Sequence, residues 1–154
     1  MSTNIQAWLL CIAPGEYAVL SRQAMGHLIK DFKISSVPQA PSYANHVYLW
    51  KQKILPIFNL SALLLGERTD PQLLAIVAYR RGAEIKQGAL ALFAAPLLVE
   101  IPEQAVDWPD TKVPWSALAD SCVRLDGYGD CVILSTDKLF NYGANDLAQT
   151  KKPA

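Results

Sequence analysis

Apolar residues in this chain come in short, strand-length runs broken by turn-forming residues, with no long stretch at helical spacing. Trp8 to Ala13 closes at Pro14-Gly15 and Tyr17 to Leu20 follows directly, which predicts a β-hairpin. Ser21 is placed to cap one helical turn, but Gly26 and the β-branched Ile29 return the chain to extended backbone. From Asp31 to Asn45, Pro38 and Pro41 among several serines predict an irregular crossing loop. Val47 to Trp50 and Lys53 to Phe58 read as strands joined tightly through Lys51-Gln52. Pro56 has no N–H to give a ladder, so it should mark an edge or a bulge. Asn59 and Gly66 bracket a short helix, the first as N-cap and the second as its terminator.

Glu67 to Gln72 is polar, contains Pro71, and reads as a link between halves. Beyond it Leu73 to Tyr79, Gly88 to Ala94 and Leu97 to Ile101 are strand candidates, punctuated by Arg80-Arg81-Gly82, Ala95-Pro96 and Pro102. A second proline-bearing loop covers Trp108 to Pro114. Val123 to Leu125 and Cys131 to Leu134 flank Asp126-Gly127-Tyr128-Gly129-Asp130, a strong hairpin signal. Asp137 to Tyr142 should form a short helix, followed by a polar, frayed tail from 144 to 154. The two halves echo one another loosely, each ending in a hairpin and a short helix. Many short strands at this spacing predict a mainly β fold of small closed barrels, because closure removes edges that invite aggregation. Two barrels sharing an apolar seam fit a single domain over residues 1–143, with a first lobe near 17–66 and a second near 73–140. The N-terminal strand is then shared or paired at the seam.

The 154 residues are 51% hydrophobic and only 18% charged, so the surface must carry apolar area of the kind that docks other proteins. Fourteen Lys and Arg balance fourteen Asp and Glu, which gives no net field to hold nucleic acid or anionic lipid. The N-terminus lacks the basic segment of a signal peptide, and the run from Ala7 to Pro14 is too short to span a bilayer, so the chain reads as cytoplasmic without membrane insertion. Cys11, Cys122 and Cys131 form no C-x-x-C pair and read as reduced core residues.

Catalytic patterns are missing. His27 and His46 have no metal-ligand spacing, so neither a metal nor a cofactor is implied. There is no G-x-S-x-G elbow, and the Gly127-Tyr128-Gly129 turn leads into a strand instead of a phosphate-binding helix. Glu100 with Glu103, and Asp107 with Asp110, fall in turns and on strand faces. The four tryptophans lack basic interleaving and read as core or as anchors of a protein interface.

Three segments in order carry a resemblance to a known family: Tyr17-Ala-Val-Leu20, Ile34-Ser-Ser-Val-Pro-Gln-Ala-Pro-Ser-Tyr43, and His46-Val-Tyr-Leu-Trp-Lys-Gln-Lys-Ile-Leu-Pro-Ile-Phe-Asn-Leu60. This region resembles the CheW-like proteins of bacterial chemosensory arrays, with their extended Val-Pro-x-x-Pro loop, Gly-x-x-Asn-Leu-Arg-Gly segment and Leu-Pro-x-x-Asp-Leu strand. Weaker similarity continues through Leu97 to Pro102, Ser121 to Gly127 and Asp137 to Phe140. The chain departs from the pattern at His46, Leu49, Lys51 and Gln52, where the family has Gly, Asn, Arg and Gly. It departs also at Asn59, which caps without adding negative charge, and at Phe93. Lys51 keeps a charge but not the bidentate fork of Arg.

The resemblance implies two five-stranded SH3-like barrels, no enzymatic activity, and docking between the regulatory domain of a CheA-type histidine kinase and the cytoplasmic tip of a chemoreceptor. The partner-binding candidates are Met25, Leu28, Val37, His46, Tyr48, Leu49, Trp50 and Lys51, expected along an apolar groove with Lys51 at its rim. The departures favour a divergent adaptor, of pilus motility or another accessory system. A small-ligand-binding β-barrel and weak self-association stay open as alternatives.

Overall fold

A computed structural model describes residues 5–66, 70–110 and 114–142. The first half holds β1 (Ile5–Ala13), β2 (Glu16–Ser21), β3 (Met25–Ile29), β4 (Ile34–Ser36), β5 (His46–Trp50), β6 (Lys53–Phe58) and helix α1 (Leu60–Leu65). The second holds β7 (Leu73–Arg81), β8 (Glu84–Leu92), β9 (Ala94–Ile101), β10 (Ala119–Leu125), β11 (Gly129–Leu134) and helix α2 (residues 136–142). The anticipated crossing loop contains β4 and a single 3-10 turn at Ser42–Ala44.

The strands form two sheets, in the orders β10-β11-β2-β1-β9 and β3-β7-β8-β6-β5-β4. Without β4 the two orders are equivalent. Each has a long antiparallel hairpin at its centre, β1–β2 or β7–β8. Each hairpin is joined in parallel to the strand that precedes a helix, β11 or β6. The echo between the halves is therefore real, but each half lends its opening hairpin to the other half's sheet. The first sheet takes residues 5–21 and 94–134, and the second takes residues 25–92. The divisions at 17–66 and 73–140 do not coincide with these sheets.

Strand alternation explains why the central hairpins read as nearly continuous apolar runs. On β7, Leu74 and Ile76 point into one lobe while Leu73, Ala75, Val77 and Tyr79 point to the seam. On β1, Ala7 and Leu9 fill the other lobe, while Leu10 and Ile12 reach the same seam. Both faces are covered, so both must be apolar. The core accordingly has three parts: an interior within each lobe and a seam between them.

Neither sheet is zipped shut by backbone hydrogen bonds among the described residues, and the second has six strands. Each nevertheless curls until strands at or next to its opposite ends share side chains. Ile101 of β9 packs in one cluster with Val123 and Leu125 of β10, and the ring of His27 on β3 lies 5.1 Å from Trp50 on β5. The seam is filled by Leu10, Leu20, Leu90, Leu92, Leu118 and Leu139, all fully buried. Cys11, Cys122 and Cys131 are free and buried, and burial raises the pKa of each thiol.

Candidate docking cleft

At one end the seam opens, and the cause is local. β6 and β8 pair in parallel only through Ile57↔Ala89 and Phe58↔Leu90. The residue just before is Pro56, which has no N–H to extend the ladder; β6 is an interior strand in unbroken register with β5, so Pro56 stands where the β8 ladder stops and not at the expected edge or bulge. Upstream, β6 stays with β5 through Trp50↔Lys53 and β8 stays with β7 through Arg81↔Glu84. The strands diverge and leave a cleft of about 930 Å³ lined by Val37, Val47, Ile54, Pro56, Ile85 and Phe140. Ile54 is 71% exposed and Ile85 is 72% exposed, values far from what hydrophobic burial favours.

Phe140 sits at the inner end of the cleft and is held from several sides. Its ring stacks on Tyr79 at 4.6 Å, and Gly88 leaves the space it occupies, since a Cβ there would overlap the ring. Its helix is clamped to the end of β7. The backbone N–H of Arg80 donates to Asp137 Oδ1 at 2.7 Å, Arg81 Nη2 donates to the Phe140 carbonyl at 2.9 Å, and Asn141 Nδ2 donates to the Arg80 carbonyl at 2.8 Å. The opposite wall is the proline loop. The N–H of Asn59 donates to the Tyr43 carbonyl and that of Val37 to the Asn45 carbonyl, each at 2.7 Å, and the Tyr43 ring packs 5.2 Å from Phe58. Asn59 also caps α1, its Oδ1 accepting from the Ala62 N–H at 3.1 Å and from Ser61 Oγ at 2.6 Å. Lys53, Arg81, Glu84 and Lys86 are the charged residues of the lining, with Lys86 paired to Glu84 at 3.4 Å.

The eight partner-binding candidates are not brought together. Val37 lines the cleft, and Leu49 is 66% exposed beside Ile54, its cross-strand partner. Tyr48 and Trp50 alternate to the opposite face of β5 and pack on the lobe interior. Lys51 Nζ lies 4.5 Å above the Trp50 ring, and Leu28, on the same strand as His27, is 43% exposed. Met25 packs against the seam, and His46 Nδ1 is 2.6 Å from Asn45 Oδ1. The expected single groove is thus two surfaces: the cleft, and the open end of the lobe around Trp50 and Lys51. The second is shaped by its turn, because Lys51 and Gln52 both have positive φ, 48° and 65°, as a two-residue hairpin of this hand demands.

Ile54, Ile85 and Phe140 escaped the sequence reading. Ile85 lies between Glu84 and Lys86, in the stretch left unassigned between the Arg80-Arg81-Gly82 break and the strand expected from Gly88, and Ile54 and Phe140 looked like ordinary strand and helix residues. Pro56 was the available signal, since a proline inside a strand with a neighbour on one side implies separation on the other.

Among the described residues no group of His, Cys, Asp and Glu is arranged to hold a metal ion, and no buried side-chain polar atom lacks a hydrogen bond. No helix among them is long and apolar enough to cross a membrane. Two curled β lobes set against one apolar seam, open at one end, define a two-lobed β fold. A crystal structure of the scaffolding protein TtCheW from Thermoanaerobacter tengcongensis has this fold. It matches at a TM-score of 0.72, covering 90% of this chain and 93% of that one at 19% identity. No protein-family profile and no curated protein matches the sequence.

Proposed function

We propose that the chain is a non-catalytic adaptor of a bacterial chemosensory complex, coupling a chemoreceptor tip to the regulatory domain of a CheA-type histidine kinase. The observation that carries this reading is the apolar cleft at the mouth of the seam, with Ile54 and Ile85 exposed at its lips. The fold shared with a scaffolding protein and the resemblance through Val37-Pro38 and Leu55-Pro56 support it. A groove of this kind suits an amphipathic helix, whose apolar face enters between Val37, Ile54 and Ile85. Lys53, Arg81 and Lys86 outnumber Glu84 at the lining, so the partner helix carries acidic flanks.

Binding of the two candidate partners from the same genome, measured by calorimetry, tests this reading. Ile54→Lys with Ile85→Lys should weaken one of the two interactions about tenfold or more, the loss of about 1.4 kcal/mol expected of a buried apolar anchor. Lys51→Glu and Trp50→Ala probe the second surface and should affect the other partner. Unchanged binding of both partners by all three variants would remove the adaptor reading. The departures at Leu49, Lys51 and Gln52 favour a receptor whose contact does not depend on a bidentate arginine, as in an accessory or pilus-motility system.

A further inference from the structure

The charges on the cleft lining do not cancel. Its one carboxylate, Glu84, is taken by Lys86 at 3.4 Å, and among the described residues Lys53 and Arg81 are paired with no carboxylate. Arg81 is also held in place. Its Nε donates to Asn141 Oδ1 at 3.1 Å and its Nη2 to the Phe140 carbonyl at 2.9 Å, both neutral acceptors, and its guanidinium lies 5.9 Å from the Tyr79 ring. The remaining N–H donors stay open on a planar fork whose orientation the protein has already fixed, and a carboxylate is the group that such a fork fits.

This oriented cation stands beside apolar walls. The cleft of about 930 Å³ falls in the range of roughly 300 to 1,000 Å³ usual for small-molecule sites, which combine apolar walls with a few placed polar groups. We infer that the cleft also binds a single-chain amphiphilic carboxylate of the fatty-acid class. Its carboxylate sits on Arg81, Lys53 adds positive charge, and its chain runs over Phe140 and between Ile54 and Ile85. Such a ligand covers the same walls as a partner helix and so blocks the cleft. Chain and head must both contribute: a fully buried methylene is worth about fourfold in affinity. Arg81 is exposed to solvent, which limits the head group to about three- to tenfold.

Calorimetric titration of the full chain with decanoate, below the concentration at which it forms micelles, tests this beside octanoate, dodecanoate, decanol and acetate. Affinity should rise about two- to fourfold per methylene, since the open cleft buries each incompletely. Decanoate should bind about three- to tenfold more tightly than decanol, and acetate should not bind measurably. Arg81→Gln should erase the preference for decanoate over decanol, and Arg81→Lys should restore part of it. Because Arg81 also holds α2, Lys53→Glu repeats the test at an exposed residue and should lower the same preference. Absence of decanoate binding, affinity independent of chain length, equal affinity for decanoate and decanol, or a preference that survives both Arg81→Gln and Lys53→Glu would overturn the inference. Phosphatidylglycerol vesicles should not retain the chain. Retention that decanoate does not reverse would assign the cationic lining to a lipid surface and overturn the inference as well. No adaptor partner enters these titrations, so their failure leaves the adaptor reading standing.

Discussion

The two ends of the seam are made from the same strands and behave oppositely. Where β6 and β8 are laddered, at Ile57↔Ala89 and Phe58↔Leu90, the space between the lobes is filled by the protein's own leucines. A few residues upstream, beyond Pro56, the same strands part, and isoleucines equal in hydrophobicity to the buried ones face solvent. One proline separates the packed part of the seam from the open cleft that the proposed function assigns to a partner. Apolar residues at the closed end are held by native packing, whereas those at the open end are left facing solvent.

This contrast predicts a descending series of effects. Leu90→Ala at the closed end removes a fully buried side chain that reaches the seam, and denaturant unfolding should show a loss of about 2 to 5 kcal/mol. Gly88→Ala forces a methyl group into the Phe140 ring, at the boundary between closed and open ends, and should cost about 1 to 3 kcal/mol. Adding Phe140→Ala to that variant should recover part of the loss in a double-mutant cycle, because the clash is removed.

The lobe interior gives a pH-dependent counterpart. Burial first, then the nearby Cys122 and Asp130, push the Cys131 thiol up to about 11 from an ordinary value of 9.0. The unfolded chain therefore gives up this proton before the folded chain does. The stabilisation is complete below about pH 9 and is lost as pH rises toward 11, on the order of 1 kcal/mol by about pH 10. Thermal unfolding across this range should show the decline, and Cys131→Ala should flatten it. At the open end, Ile54→Lys and Ile85→Lys should change stability by no more than about 0.5 kcal/mol, because no native packing is lost. A large destabilisation there would break the contrast.

Much of the fold was legible because it rests on local chemistry. Pro14-Gly15 and the Asp126 to Asp130 turn gave their hairpins, and Asn59 and Gly66 bracketed α1 as the cap and terminator they are. The strand β8 starts at Glu84, earlier than its apolar pattern begins, because its first residues border the open cleft and need not be apolar. β9 runs on through Pro96, whose missing N–H is harmless on a strand that ends its sheet. The exchange of opening hairpins was not legible, because β1 and β7 carry equivalent patterns and nothing local says which sheet receives them. The site was half legible. Val37 was among the candidates and lines the cleft, but Ile54, Ile85 and Phe140 converge only through the divergence of β6 and β8 and the clamp on α2.

Amide hydrogen exchange of the chain, alone and with each candidate partner, tests the division of the seam most directly. The account predicts that one partner slows exchange at Val37 to Ala44, Lys53 to Phe58 and Glu84 to Gln87, while the closed end, already protected, does not change. Slowing confined to Leu28, Trp50 and Lys51, with no change along the cleft for either partner, would contradict it.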